Sequence, residues 1–169
     1  VHIHGMPAEM GRILEIAQRY NLNVIEDVAQ AHGAQYHGRL CGSFGDAAAY
    51  STQASKTLSS GCQGGLFTTD DELIHQRAGL LQYFGEIVVP GQERESQEYN
   101  AYGLGWMYRG DMFSQALIRS QLKRLDQNNM LRVENCRFLT QHLSQIPGLK
   151  TPLVPEGCNP VYYNYVIGF

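Results

Sequence analysis

The chain has 169 residues, 43% apolar and 17% charged, with a formal net charge of −3. That composition predicts a soluble globular domain with one ordinary core, and it gives no electrostatic reason for a nucleic-acid partner. No basic cluster is interleaved with aromatics and no apolar run reaches membrane-spanning length, so neither nucleic acid nor membrane is expected, and a cytoplasmic location is.

In chain order, residues 1–4 alternate as a short strand, and His2 and His4 would then share one side. Two histidines at that spacing can hold a metal, but no carboxylate or cysteine cluster stands near them in sequence. An ordinary strand-end pair is expected, and no metal site. Pro7 suits a first helical turn, and Met10, Ile13, Leu14 and Ala17 repeat at helical spacing until Asn21-Leu22-Asn23. A strand over 24–27 follows, in which Val24 and Ile25 read as the end of a buried strand. Tyr36-His37-Gly38-Arg39 reads as a turn, residues 47–51 as a strand of small side chains, and residues 65–69 as another strand. Asp70 or Asp71 is placed to cap a helix running to about Leu81.

Residues 82–100 are polar and turn-rich, with Pro90-Gly91 and Glu93-Arg94-Glu95, which predicts a mobile loop or hairpin. Beyond Met112 the pattern is helical again. Ile118, Leu122 and Leu125 form one stripe, Cys136, Leu139, Leu143 and Ile146 another, and Pro147-Gly148 ends the run. A further strand is expected from Val161. Strands separated by a helix indicate an α/β fold with βαβ units. Cys41, Cys62, Cys136 and Cys158 lie far apart without a Cys-x-x-Cys pair, which predicts reduced thiols.

Two segments carry chemistry. The run Ala47-Ala48-Ala49-Tyr50-Ser51-Thr52-Gln53-Ala54-Ser55-Lys56 delivers a hydroxyl and then an amine onto a loop that is followed by glycines. An amine so placed can form a Schiff base with a carbonyl cofactor while the hydroxyl holds a phosphate. Upstream, Val24-Ile25-Glu26-Asp27-Val28-Ala29-Gln30-Ala31-His32-Gly33 puts Asp27 just past a strand, where open α/β sheets present functional groups. A carboxylate there can face a pyridine nitrogen and keep it protonated, so that the ring accepts electrons. His32 is a candidate general base, though packing against the surroundings of the site is the plainer reading. Gly61-Cys62-Gln63-Gly64-Gly65 lacks the lysine-hydroxyl ending of a nucleotide-binding loop and reads as a turn that lets the backbone pass close to Lys56.

These motifs resemble the DegT-type, fold-type-I, pyridoxal-phosphate-dependent nucleotide-sugar aminotransferases. The resemblance spans nearly the whole chain. It includes Val1-His2-Ile3-His4-Gly5-Met6-Pro7-Ala8, Gly105-Trp106-Met107-Tyr108-Arg109, Ser120-Gln121-Leu122-Lys123-Arg124-Leu125-Asp126 and Tyr162-Tyr163-Asn164-Tyr165-Val166-Ile167. It implies part of a three-layer α/β/α large domain over residues 1–128, followed by a long helix and the start of a smaller α+β domain over 129–169. It also implies that Lys56 carries the cofactor as a Schiff base, Asp27 pairs with the pyridinium, Gln30 approaches the phenolic oxygen and Ser51 binds the phosphate. Lys56 and Asp27 would be the catalytic pair. The implied reaction moves an amino group from glutamate to a keto sugar, nucleotide-linked, in a homodimer.

By the same resemblance, the chain is an internal piece of a longer enzyme, whose missing part would supply a second phosphate-binding loop and the aromatic residue that stacks on the cofactor. Two alternatives stand beside this. A sugar-dehydrating relative would carry histidine in place of Lys56, and an inactive or purely dimerising domain would bind no cofactor. Met107 stands where many members have a phosphate-binding asparagine and cannot donate a hydrogen bond, leaving Tyr108 and Arg109 as aligned candidates. Thr52-Gln53 likewise replaces aromatic residues common in the family.

Overall fold

The structure, a computed structural model, describes residues 1–86 and 102–169. The loop or hairpin expected over 82–100 therefore lies, from residue 87 onward, outside the described residues. Helix α1 (Met10–Tyr20) follows the predicted stripe and buries Met10 and Ala17, and Asn21 stops it in the left-handed region at φ 50°. Pro7 lies before this helix, which begins at Met10.

Strands β1 (Ile25–Asp27), β4 (Ala47–Ser51) and β5 (Gly65–Thr68) form one sheet with β4 in the centre. β1 runs parallel to β4 with Asp27 opposite Ala49, and β5 runs antiparallel to β4 with Gly65 opposite Ser51. Between β1 and β4 the chain makes the hairpin β2 (Gln35–Tyr36) and β3 (Arg39–Leu40). Its two-residue turn, His37-Gly38, has φ of 48° and 78°, the doubly left-handed geometry that follows strand twist and that glycine adopts at least cost. β6 (Cys158–Asn159) adds to the outer side of β2 and completes a second small sheet.

Helix α2 (Glu72–Gln82) is capped by Asp71, whose carboxylate accepts the Ile74 N–H at 2.9 Å. Helices α3 (Met112–Leu122) and α4 (Leu125–Leu143) follow; Asp111 caps the first through the Ser114 N–H, also at 2.9 Å. The core lies between the large sheet and the loop after β1. Val28, Ala31, Ala34, Cys41, Ala48 and Val161 are buried there with Tyr50 packed against them. Small side chains let these segments approach closely, which explains the alanine-rich sequence of β4.

Three expectations fail. Residues 1–4 are not a strand: Ile3–Gly5 form a 3-10 turn in which His4 (φ 59°) and Gly5 (φ 82°) are both left-handed, so His2 is buried while His4 is exposed. The buried residue of β1 is Glu26, and Ile25 is 72% exposed, because alternation along the strand turns the carboxylate inward and the isoleucine outward. The chain from Val161 is not a strand either. Tyr162 takes φ 49°, and Val161 donates its N–H to the Gly5 carbonyl at 2.9 Å.

Candidate active site

The parallel pairing of β1 and β4 brings two loops to one edge of the sheet. Asp27 ends β1, Ser51 ends β4, and the loop after Ser51 carries Lys56. Among the four predicted residues, Asp27 is exposed, while Gln30, Ser51 and Lys56 are half-buried. The Val28 N–H donates to the Ala49 carbonyl at 2.8 Å, which extends the pairing past Asp27 and fixes the direction of its loop.

Each side chain is oriented by a specific contact. Asp27 accepts the Ala29 N–H on Oδ1 at 2.9 Å, leaving Oδ2 without a partner among the described residues. Gln30 accepts the His4 N–H on Oε1 at 2.7 Å, so the amide NH2 is the end it can offer to a ligand. Ser51 Oγ accepts the Gln53 N–H at 3.4 Å. Gln53 in turn builds the lysine turn: its carbonyl accepts the Lys56 N–H at 2.9 Å and its Oε1 accepts from the backbone and hydroxyl of Ser55 at 2.8 and 2.6 Å. The Lys56 ammonium lies 4.8 Å from the centre of the Tyr163 ring.

His32 sits beneath this loop. Its Nδ1 lies 3.1 Å from Thr57 Oγ1, its ring tilts against Tyr50, and its Nε2 is buried without a partner among the described residues. Burial lowers its pKa, the nearby Ser51 backbone opposes that, and the charge of Lys56 lowers it further. Buried under the lysine turn and in contact with Thr57, His32 is placed to support that turn. Among the described residues, Thr52 Oγ1 is the other buried side-chain polar atom without a partner, on the same loop.

Behind the site lies a buried acid to which the sequence motif gave no role. Glu26 accepts four hydrogen bonds, from His2 Nε2 (2.9 Å), Gly42 N (2.7 Å), Phe44 N (2.6 Å) and Gly45 N (2.8 Å). His2 accepts the Ala8 N–H on Nδ1 at 3.0 Å, so its ring proton is on Nε2 and points at the carboxylate. Burial pushes the Glu26 carboxyl up, but the His2 bond and the three backbone bonds outweigh it and bring it down to about 2. No local signal marked it, because alternation with Ile25 facing the core would have turned Glu26 outward.

The remaining candidates resolve simply. Met107 forms a bridge with Tyr83, and its sulfur accepts from Arg109 Nε at 2.9 Å, which engages the guanidinium locally. Among the described residues there is no cluster of three potential metal ligands, and no helix is long and apolar enough to cross a membrane. All four cysteines are free thiols, with only Cys62 exposed.

An α/β sheet that gathers a lysine, an acid, an amide and a hydroxyl at one edge defines a class also found among solved structures. The fold matches Streptomyces venezuelae DesV, described as in complex with a ketimine intermediate, at a TM-score of 0.88 and 31% identity, over 98% of this chain and 42% of that one. Residues 1–168 match the model of the DegT/DnrJ/EryC1/StrS aminotransferase family, and the chain belongs to that family. It is 31% identical over 99% of its length to a dTDP-3-amino-3,4,6-trideoxy-alpha-D-glucose transaminase of Streptomyces venezuelae, and 34% identical over 99% to an L-glutamine:scyllo-inosose aminotransferase of Streptomyces griseus. The chain spans 42% and 40% of those two relatives' lengths.

Proposed function

We propose that this chain is the lysine-bearing part of a pyridoxal-phosphate-dependent aminotransferase that moves an amino group from glutamate or glutamine to a keto sugar, nucleotide-linked, with Lys56 as the covalent and proton-transferring residue. The observation that carries the reading is the shared edge of β1 and β4, where Asp27, Ser51 and the Lys56 loop emerge together. Relatives named as transaminases of dTDP-linked sugars and as glutamine-dependent aminotransferases support the substrate classes.

The side chains fit the cofactor by their free valences. The unpartnered oxygen of Asp27 suits a protonated pyridine nitrogen, and the amide NH2 of Gln30 suits a phenolate oxygen. The Ser51 hydroxyl suits a phosphate, and the Lys56 amine an aldehyde. When bound, pyridoxal phosphate supplies an electron sink for the carbanion formed at the substrate carbon. Asp27 would accept the pyridinium N–H and so keep that nitrogen protonated, and Lys56 Nζ would accept and return the proton that moves between carbon atoms. We further propose that residues 1–128 belong to the large domain, that 129–169 lead into the small one along α4, and that the enzyme works as a homodimer.

The test is to mix the purified protein with pyridoxal phosphate, record its absorption spectrum, reduce with borohydride and map the labelled peptide. A band that becomes a covalent adduct on Lys56, and is lost in Lys56→Ala, is the expected result. An adduct on another lysine, or none, would remove the proposal.

A further inference from the structure

The geometry points to Tyr163 as a positioning residue for Lys56: the tyrosine ring holds the charged lysine side chain at the edge of the site whenever its amine is not covalently engaged. The inference rests on the reading of Lys56 given above and adds a residue 107 positions away in sequence.

Three observations lead to it. Lys56 Nζ lies 4.8 Å from the Tyr163 ring centre, within the range at which a cation is attracted to an aromatic face. The Tyr163 hydroxyl lies 3.4 Å from Ser55 Oγ, so the ring is tied to the residue that precedes the lysine. Finally, Tyr163 is brought there by backbone docking. Gly5 accepts the Val161 N–H at 2.9 Å, and the His4 carbonyl accepts from Asn164 at 3.4 Å. A side chain on Gly5 would stand 2.6 Å from the Tyr163 nitrogen and 3.1 Å from the Gln30 carbonyl. The missing Cβ of Gly5, at φ 82°, therefore lets the 161–164 segment lie against the loop that bears Gln30, with Tyr163 facing the loop that bears Lys56.

The chemistry follows from the difference between the two forms of the lysine. An ammonium is attracted to the ring face and a neutral amine is not, so the ring holds the charged side chain in place and keeps it from wandering. The phenol is correspondingly acidic: the Ser55 hydrogen bond leads in lowering its pKa, and the charge of Lys56 adds to it. No bond is made or broken in this role.

The test measures the acylation rate of each lysine by mass spectrometry, in the cofactor-free protein at neutral pH with a limiting amine-reactive ester. Lys123 and Lys150 serve as internal references. Tyr163→Leu is expected to raise labelling of Lys56 alone by about two- to fivefold, the factor for an exposed cation–aromatic pair. Tyr163→Phe keeps the ring and is expected to restore the slow rate. Gly5→Ala keeps the tyrosine but moves its backbone, and is expected to behave like Tyr163→Leu. An unchanged Lys56 rate in Tyr163→Leu, or a rise shared equally by Lys123 and Lys150, overturns the inference. Borohydride trapping of pyridoxal phosphate by the wild-type protein separates the two claims. Trapping with unmoved labelling rates removes the role of Tyr163 alone, and loss of trapping with rates that move as expected removes only the cofactor reading.

Discussion

Replacing Glu26 with glutamine perturbs one buried group on which four donors converge. A carboxylate accepts from His2, Gly42, Phe44 and Gly45 together. A glutamine oxygen can keep one pair, and its NH2 then faces the other two N–H groups. His2 cannot escape by moving its proton, because Nδ1 is occupied by the Ala8 N–H. Two charge-assisted hydrogen bonds are lost, each worth about 1.5–3 kcal/mol, offset in part because a neutral amide is easier to bury than a charge. Proton linkage gives a second route to the magnitude. The carboxyl falls from its ordinary 4.5 to about 2 on folding, which at ~1.4 kcal/mol per tenfold step corresponds to about 3 kcal/mol. Because the folded value is the lower one, this stabilisation is complete above pH 4.5 and is lost as pH falls toward 2. Urea unfolding of wild type and Glu26→Gln, at pH 7 and again between pH 5 and 2.5, reads both consequences. The variant should be less stable by about 3 kcal/mol at pH 7 and should lose less stability on acidification. A difference under ~0.5 kcal/mol at pH 7, or identical acid sensitivity in the two proteins, would refute the account.

Other outcomes follow from the same geometry. On the proposed function, Asp27→Ala should abolish transamination while leaving a borohydride-trapped adduct on Lys56, which peptide mapping detects. His32→Leu fills the space of the imidazole but leaves the Thr57 hydroxyl without its partner, at a cost of about 1–3 kcal/mol; His32→Asn, which can meet that hydroxyl, should recover part of the loss in the same unfolding experiment. Asp71→Ala removes the α2 cap and should cost ~0.5–2 kcal/mol, with Asp71→Asn close to wild type. In thiol titration, Cys62 should react in the native protein and Cys41, Cys136 and Cys158 only after unfolding, since the latter are buried and Cys41 is pushed up to about 12.

The sequence was most legible where a local rule acts alone. The alanine strand over 47–51, the helix from Met10 and the Asp71 cap depend on periodicity or on one side chain, and each stands where it was expected. The errors share a different cause. Residues 1–4 and the segment after Val161 alternate like strands, yet they dock on each other through Gly5, and that long-range contact imposes left-handed backbone at His4 and Tyr162. Alternation describes a segment that pairs along its length, and these two meet only at a point. Asp27, Gln30, Ser51 and Lys56 lie in two short motifs, and the parallel pairing of β1 and β4 brings the loops that bear them to the same end of the sheet. Tyr163 was hidden from any local reading, since its relevance depends on a glycine more than 150 residues earlier in the chain.

His32 has one further property. Its carbonyl accepts the Asn129 side-chain amide at 2.8 Å, while its ring meets Thr57 one residue beyond the lysine. Asn129 sits on α4, the long helix that leads toward the C-terminal part. One residue thus grips the helix with its main chain and the lysine turn with its side chain. α4 and the Lys56 turn are therefore tied to each other through the hydrogen bonds of one residue.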